Sequence, residues 1–228
     1  MKDITVQIDM DDLPEEPEKK TQYDINISEF DPTSTYLESE EDIDEKLIGY
    51  IEKQIRSSFE YKKYINYLKT ELDLTRCSLL PGIDSKENSV SLEFHHYPMN
   101  LYEITEAITR QKVSTLCEGE TVSCFDIAEQ VMEEHFRGNI GVVPLTKTIH
   151  DMAHNRSIII PITKVEGNYN YFIKKYSSYI PEDIKDRVRD AEMNSVSDDA
   201  KLFNQSKLEK NITEFNVKYL PREGLDEI

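Results

Sequence analysis

Histidine is scarce in this chain and unevenly placed. The 228 residues hold five histidines, and four of them fall into two groups, His95 with His96 and His150 with His154. Imidazole has a pKa of about 6.5, so at cellular pH its neutral form can bind a divalent metal ion or take a proton from water. The two groups therefore predict one convergent site that combines metal binding with proton transfer.

The second histidine group lies on a predicted helix. Thr146 or Thr148 can cap a short helix in which His150 and His154 are four residues apart. This spacing puts both imidazoles on one helical face, with Cβ atoms about 5 to 6 Å apart, so the pair can hold one metal ion. The same spacing also occurs by chance on ordinary helices, and that interpretation stays open.

The first group ends a predicted strand. Apolar residues alternate through residues 89–96, which predicts a strand with His95 and His96 at its end. Adjacent strand residues point to opposite faces, so one histidine can face the helical pair while the other faces a different part of the cleft. A second strand is predicted at 140–145, at an edge or strand-end position because it contains Pro144.

This order of elements resembles the ββα-metal, or HNH, endonuclease motif, as found in HNH-like proteins of bacteriophages. The resemblance is carried by LEFHHYP at residues 92–98 and by GVVPLTKTIHDMAH at residues 141–154. It implies that His96 is the general base. It implies a set of metal ligands formed by His95, His150 and His154.

The same resemblance implies a cofactor and a substrate. The cofactor is a divalent metal ion, Zn²⁺, Mn²⁺, Ni²⁺ or Mg²⁺, and several imidazole ligands favour a transition metal over Mg²⁺. The substrate is a phosphodiester bond in nucleic acid, with DNA favoured over RNA. Lys147, Arg156 and Lys164 are expected to meet phosphate, although ordinary surface roles account for them equally well.

The sequence departs from the family pattern between the two halves of the motif. Family members commonly carry an Asn about nine residues before the first helical histidine, where this chain has Gly141. The nearest Asn is Asn139, which is the second candidate catalytic residue. The stretch between His96 and Gly141 has 44 residues, enough for two inserted helices. The three cysteines form no C-x-x-C pair, which argues against a structural zinc knuckle.

The predicted fold class is α+β, with an HNH-like hairpin and helix embedded in a mainly helical domain. Residues 45–74 lack proline and place apolar residues at helical spacing, which predicts one long amphipathic helix. Asn100 and Ser123 are expected to cap two more helices, with Phe125 on the apolar face of the second. His135, near the end of that helix, is interpreted as a packed, structural histidine. Shorter strands are expected at 77–80 and, as a strand or extended segment, at 157–163.

Charge divides the chain into three parts. The formal charge is −18, and residues 1–45 account for −13 of it with 16 acidic residues against three lysines. Residues 1–45 are expected to be an acidic segment, flexible or only partly docked, before a core domain at 46–193 and a polar segment at 194–228. No apolar run reaches the roughly 18 to 20 residues of a membrane span, and no signal peptide is recognised. The expectation is an intracellular protein without a membrane partner, in the host cytoplasm if a phage encodes it.

Two functions remain open from the sequence. The first is a metal-dependent HNH-type endonuclease, which the ordered histidine groups favour. The alternative is a catalytically inactive HNH-like phage protein that binds a host or phage protein, which Gly141 favours. Its acidic N-terminal segment can imitate nucleic acid and so occupy a basic cleft.

Overall fold

The protein is α+β, as predicted. The computed structural model describes residues 36–80, 82–88 and 90–194. The helices in these ranges are α1 (Glu45–Ser57), α2 (Phe59–Thr70), α3 (Leu101–Ser114), α4 (Cys124–Phe136), α5 (Lys147–His154), α6 (Tyr169–Lys175) and α7 (Glu182–Asn194). The strands are β1 (Tyr36–Leu37), β2 (Leu92–His96), β3 (Val122–Ser123) and β4 (Val142–Thr146). None of the helices in the described ranges is long and apolar enough to cross a bilayer.

Helices α1, α3 and α4 pack on one another as the scaffold of the domain. Thr146 is the N-cap residue of α5, but its side chain forms no capping hydrogen bond. The other two predicted caps do form: Asn100 Oδ1 accepts from the Glu103 backbone N–H at 2.9 Å, and Ser123 Oγ accepts from Asp126 N–H at 3.1 Å. These bonds satisfy backbone donors at the first turns of α3 and α4. The expected burial of Phe125 is wrong, since its side chain is 67% exposed. The side chains that α4 buries are those of Cys124, Ile127, Val131, Met132, Glu134 and His135.

The long helix predicted for residues 45–74 is two helices that meet at Ser58. Its backbone is extended, with φ −65° and ψ 156°, and its Oγ accepts from the Tyr61 N–H at 3.0 Å. Its own N–H donates to the Ile55 carbonyl at the end of α1. One serine therefore ends α1 and caps α2, and the change in direction turns the tyrosines of α2 toward β2 and α4.

The start of the described chain is docked. Strand β1 pairs with β3 in antiparallel register, Tyr36 opposite Ser123 and Leu37 opposite Val122, and Leu37 is buried. The last ten residues of the predicted acidic segment thus belong to the fold. The rest of that segment, residues 1–35, and residues 195–228 of the predicted polar segment lie outside the described residues.

Strands β2 and β4 form the antiparallel ribbon on which the predicted site depends. His95 lies opposite Val143 and His96 opposite Val142. Thr146 ends β4 and precedes α5 directly, so the helix folds back over one face of the ribbon. The ribbon and α5 share a core cluster of buried residues with the segments around them: Cys77, Leu92, Val143, Leu145, Ile149, Met152, Ile158 and Ile160.

The segments at 77–80 and 157–163 are not strands. Near the first, the described residues form an isolated bridge between Arg76 and Asp84, and the Ser78 N–H donates to the Pro144 carbonyl of β4 at 2.9 Å. Asp84 accepts from the Lys86 N–H at 2.8 Å in the turn that follows. In the second, Ile158 and Ile160 are buried in irregular chain that leads to a short 3-10 helix at Ile162–Lys164. Their apolar, β-branched residues reflect burial against α5 and the ribbon and not sheet pairing.

Gly141 sits where two backbone segments meet. A Cβ at this position would lie 2.1 Å from the Tyr97 carbonyl oxygen and 2.8 Å from a Val165 methyl group. The Gly141 carbonyl in turn accepts from the Tyr97 N–H at 3.0 Å, which extends the ribbon beyond His96. The place where the HNH pattern commonly has Asn therefore admits no side chain at all.

We expect Gly141→Ala to destabilise the fold by more than about 2 kcal/mol, because the carbonyl of Tyr97 must move to admit the methyl group. Gly49→Ala is the matched control: Gly49 is inside α1 with nothing within 4 Å of an added Cβ, and the change should stabilise by about 0.5 to 1 kcal/mol. Urea unfolding followed by circular dichroism measures both. Equal effects of the two substitutions would contradict the close approach.

Candidate metal centre

Three of the predicted site residues come together between the ribbon and α5. The ring nitrogens of His95, His150 and His154 offer one ligand atom each within 4.8 Å of one another. The Nε2 atoms of His150 and His154 are 3.3 Å apart. Tetrahedral zinc with bonds of about 2.0 to 2.1 Å separates its nitrogen ligands by about 3.3 to 3.4 Å. The helical pair therefore already has the spacing of one edge of a tetrahedral site.

Glu93 orients one of these imidazoles. Its Oε2 is 2.8 Å from His150 Nδ1, so the carboxylate accepts a hydrogen bond from that nitrogen. In neutral His150 the Nε2 atom then carries the lone pair and faces His154. A carboxylate behind a ligating imidazole is a common supporting contact in metal sites, where it fixes the tautomer and raises the basicity of the ligand.

Burial favours the neutral, metal-binding form of His95 and His150. Burial, followed by the charges of His150 and His154, lowers the pKa of His95 to about 4. Burial also lowers the pKa of His150, and the Glu93 carboxylate partly offsets this effect. Deprotonated imidazoles are the form that binds metal. The donor set thus fits a borderline transition metal, with three nitrogens and space for further ligands on the exposed side of His154.

A groove of about 690 Å³ opens beside the cluster and is lined in part by His95, His96 and His154. Three arginines from separate elements also line it, Arg56 of α1, Arg156 just after α5, and Arg187 of α7. The positive charge of Arg56 contributes to lowering the pKa of His95 and His150. Lys147 and Lys164, the other predicted phosphate contacts, are exposed but do not line the groove.

His96 lies on the other face of the ribbon. It is 6% exposed, lines the inner wall of the groove, and places Nε2 3.0 Å from Nε2 of His135. Burial is the main cause that holds the pKa of His96 well below its usual range. Strand alternation thus separates the candidate ligand His95 from the candidate base His96.

Asn139 belongs to a different group of side chains. Its amide nitrogen donates to Glu134 Oε2 at 2.7 Å, and Glu134 is fully buried. The same carboxylate accepts from Lys175 Nζ at 2.5 Å and from the Tyr176 hydroxyl at 3.1 Å. These hydrogen bonds connect the segment before β4 to α4 and to the end of α6, and the structure does not bring the Asn139 amide into the histidine cluster.

The sequence interpretation missed four contributors to the site: Arg56, Glu93, Arg187 and His135. Glu93 could have been predicted from the sequence, because it lies two residues before His95 and so on the same face of the strand. The two arginines reach the groove from α1 and α7, and no local pattern marks residues that only tertiary packing brings together.

The fold and site define an α+β protein with a three-histidine centre between a β-ribbon and the helix that follows it. A family model for bacteriophage G278-like virion proteins matches residues 2–221, and the chain belongs to that family. Membership confirms the bacteriophage association and carries no indication of an HNH family. Searches of curated proteins and of solved structures find no match.

We expect the metal-free protein to bind one Zn²⁺ per chain, and His150→Ala to abolish tight binding, because one of three imidazole donors is lost. Glu93→Gln should weaken affinity by about 10- to 100-fold, since it removes the carboxylate behind a ligand. Isothermal titration calorimetry measures both. His96→Ala is the control from the opposite face of the ribbon, and loss of zinc in this variant would contradict the assignment of ligands.

The pH dependence of the free energy of unfolding should reflect the lowered pKa of His135, the buried histidine of α4. Burial is the main cause that lowers the pKa of His135 to about 4 from 6.5. Between these values the unfolded chain binds a proton that the folded chain does not, so the free energy of unfolding falls as pH falls from 6.5 toward 4. With EDTA present, the decrease in the free energy of unfolding on acidification should be smaller in His135→Gln than in the wild type, by up to about 1.4 kcal/mol per pH unit. Parallel urea titrations between pH 7.5 and 4.5 test this, and identical slopes would contradict it.

Proposed function

We propose that the chain is a divalent-metal-dependent endonuclease of the HNH type, carried by a bacteriophage, that hydrolyses phosphodiester bonds in nucleic acid. The observation that carries the proposal is the convergence of His95, His150 and His154, with His96 adjacent to His95 on the same strand and directed to the opposite face. The order of ribbon and helix is the order that the resemblance to the HNH motif requires. A second support is the groove with its arginines, which offers phosphate a place beside the histidines.

Each group has a distinct part in the proposed reaction. Arg56 and Arg156 bind phosphates flanking the scissile bond, and their charge draws the polyanion into an otherwise acidic protein. His96 takes the proton from the attacking water as the new P–O bond forms and the leaving oxygen departs. A divalent ion, when bound by the three histidines, supplies Lewis-acid stabilisation of the negative charge on the phosphate and the leaving oxygen.

Membership of a virion-protein family bears on the substrate. The family is one of virion proteins, and inside a phage particle the packaged genome is the phosphodiester at hand. We therefore propose DNA as the first substrate to test, with RNA as the alternative. The proposal that the fold is of the HNH type rests on the same order of histidines, so the cleavage experiment tests it together with the activity.

Cleavage of supercoiled plasmid, single-stranded DNA and RNA in the presence of Mn²⁺, Ni²⁺, Zn²⁺ or Mg²⁺ tests the proposal. We expect metal-dependent cleavage that EDTA abolishes and that His96→Ala reduces by about 10²- to 10⁴-fold, the usual contribution of a general base. The His96→Ala variant must still bind zinc. Cleavage by His96→Ala at the wild-type rate would rule out His96 as the base.

The role of Arg56 has a matched control on the same scaffold. Arg56 forms an i,i+4 pair with Glu52 on α1, and Arg110 forms the same pair with Glu106 on α3, away from the groove lining. Arg56→Gln should raise KM for DNA by about tenfold and flatten its dependence on salt, because one phosphate contact is lost. Arg110→Gln should leave both unchanged. Equal effects would show that general charge is responsible and the groove is not.

A second candidate function has its own observation. Phe125 and Phe59 are both strongly exposed, and Phe125 lines an apolar groove with Ile55, Ala128 and Met132. Exposed apolar surface of this kind favours protein binding. Together with Gly141 it supports an HNH-like phage protein that binds another phage or host protein without cutting nucleic acid. Stoichiometric zinc binding with no cleavage of any substrate would favour this candidate over the nuclease.

A further inference from the structure

Two buried histidines from different elements share a hydrogen bond. The Nε2 atoms of His96 in β2 and His135 in α4 are 3.0 Å apart, with the ring planes at 84°. His135 is 1% exposed. The sequence assigned His135 only to packing, yet its ring nitrogen is directed at the candidate base.

The direction of this hydrogen bond follows from the other nitrogen of His135. His135 Nδ1 lies 2.7 Å from the carbonyl oxygen of Val131, which can only accept. Nδ1 therefore carries a hydrogen, and in a neutral imidazole Nε2 is then the acceptor. The hydrogen between the rings must come from His96 Nε2, which leaves Nδ1 of His96 with a lone pair.

The surroundings favour this neutral arrangement. Tyr61 lies nearly parallel to the His96 ring with centroids 6.2 Å apart, and Tyr64 meets the His135 ring edge-on at 4.9 Å. Both tyrosines come from α2, which Ser58 turns toward this region. Burial among aromatic rings disfavours a charged imidazole, in agreement with the lowered pKa of His135.

We propose that His135 is a positioning residue for His96: it accepts the Nε2 hydrogen, fixes the ring and its tautomer, and so leaves Nδ1 as the atom that takes the proton from water. The inference rests on the proposed function of His96 as base. In the other tautomer Nδ1 would carry a hydrogen and could accept none.

The proposal accounts for the departures from the HNH pattern. Gly141 has no room for a side chain, and Asn139 is committed to Glu134. Neither offers a side chain to His96. The inserted stretch between the two strands contains α4, and α4 supplies a different partner for the base.

The experiment reads the tautomers directly. Full-length protein labelled with ¹⁵N-histidine is studied by long-range ¹H–¹⁵N correlation at pH 7.5, without metal and with Zn²⁺, and signals are assigned from single-histidine variants. We expect hydrogen on Nε2 of His96 and on Nδ1 of His135. Hydrogen on Nδ1 of His96 in the wild type would overturn the proposal.

Two substitutions separate positioning from packing. His135→Phe keeps an aromatic ring but removes the acceptor, so His96 should become a mixture of tautomers and cleavage should fall by about 10²-fold or more, the scale of general-base catalysis. His135→Gln places an amide oxygen near the former Nε2 and should restore the Nε2 hydrogen of His96 and most of the activity. Zinc affinity should stay unchanged in both. A His135→Phe protein that is folded by its amide spectrum and keeps the wild-type His96 tautomer would overturn the proposal.

The same data distinguish this proposal from the nuclease assignment. If the wild type cuts no substrate, the proposed function fails, while the spectra still decide whether His135 sets the His96 tautomer. If the wild type cuts and His135→Phe cuts equally well, the nuclease stands and the positioning role is wrong.

Discussion

The register between β2 and β4 is the constraint on which the site depends. With His95 opposite Val143 and His96 opposite Val142, one histidine faces α5 and the other faces α2 and α4. A slip by one residue would exchange the two faces and bury His95 against the tyrosines. The register is closed beyond the strand end by the hydrogen bond from Tyr97 to Gly141, so a glycine without chemistry of its own keeps two histidines in separate environments.

Two faces give the two histidines opposite surroundings. On the α5 face, Glu93 and the helical pair create a polar, half-open cluster suited to a cation. On the other face, the rings of Tyr61 and Tyr64 together with His135 create a buried, largely aromatic enclosure that favours a neutral imidazole. For the proposed function the division has a use: a metal ligand and a general base on opposite faces do not compete for the same proton or the same metal ion, and the two-residue period of a strand provides that separation.

The local part of this arrangement was accessible from the sequence. The α+β class, the caps at Asn100 and Ser123, and the H-x-x-x-H spacing on α5 depend on neighbours a few residues apart, and propensity and period report such relations. The break at Ser58 was missed because a serine is tolerated within a helix and its side chain acts as a cap only in the folded context. Arg56, Arg187 and His135 were missed as site residues because each reaches the groove or His96 through tertiary packing, which a single sequence does not encode in any short pattern.

The position of α3 and α4 in the chain also bears on how the site is assembled. Both helices lie between the two strands of the ribbon. The pairing of β2 with β4 therefore closes a long loop, and loop-closure entropy opposes this pairing while the inserted chain is unfolded. Packing of α3 against α4 shortens the effective loop and brings the strand ends together. Because α4 precedes β4 and α5 in the chain, His135 is synthesised before His150 and His154, so the cluster of three histidines can form only after the partner of His96 is already present.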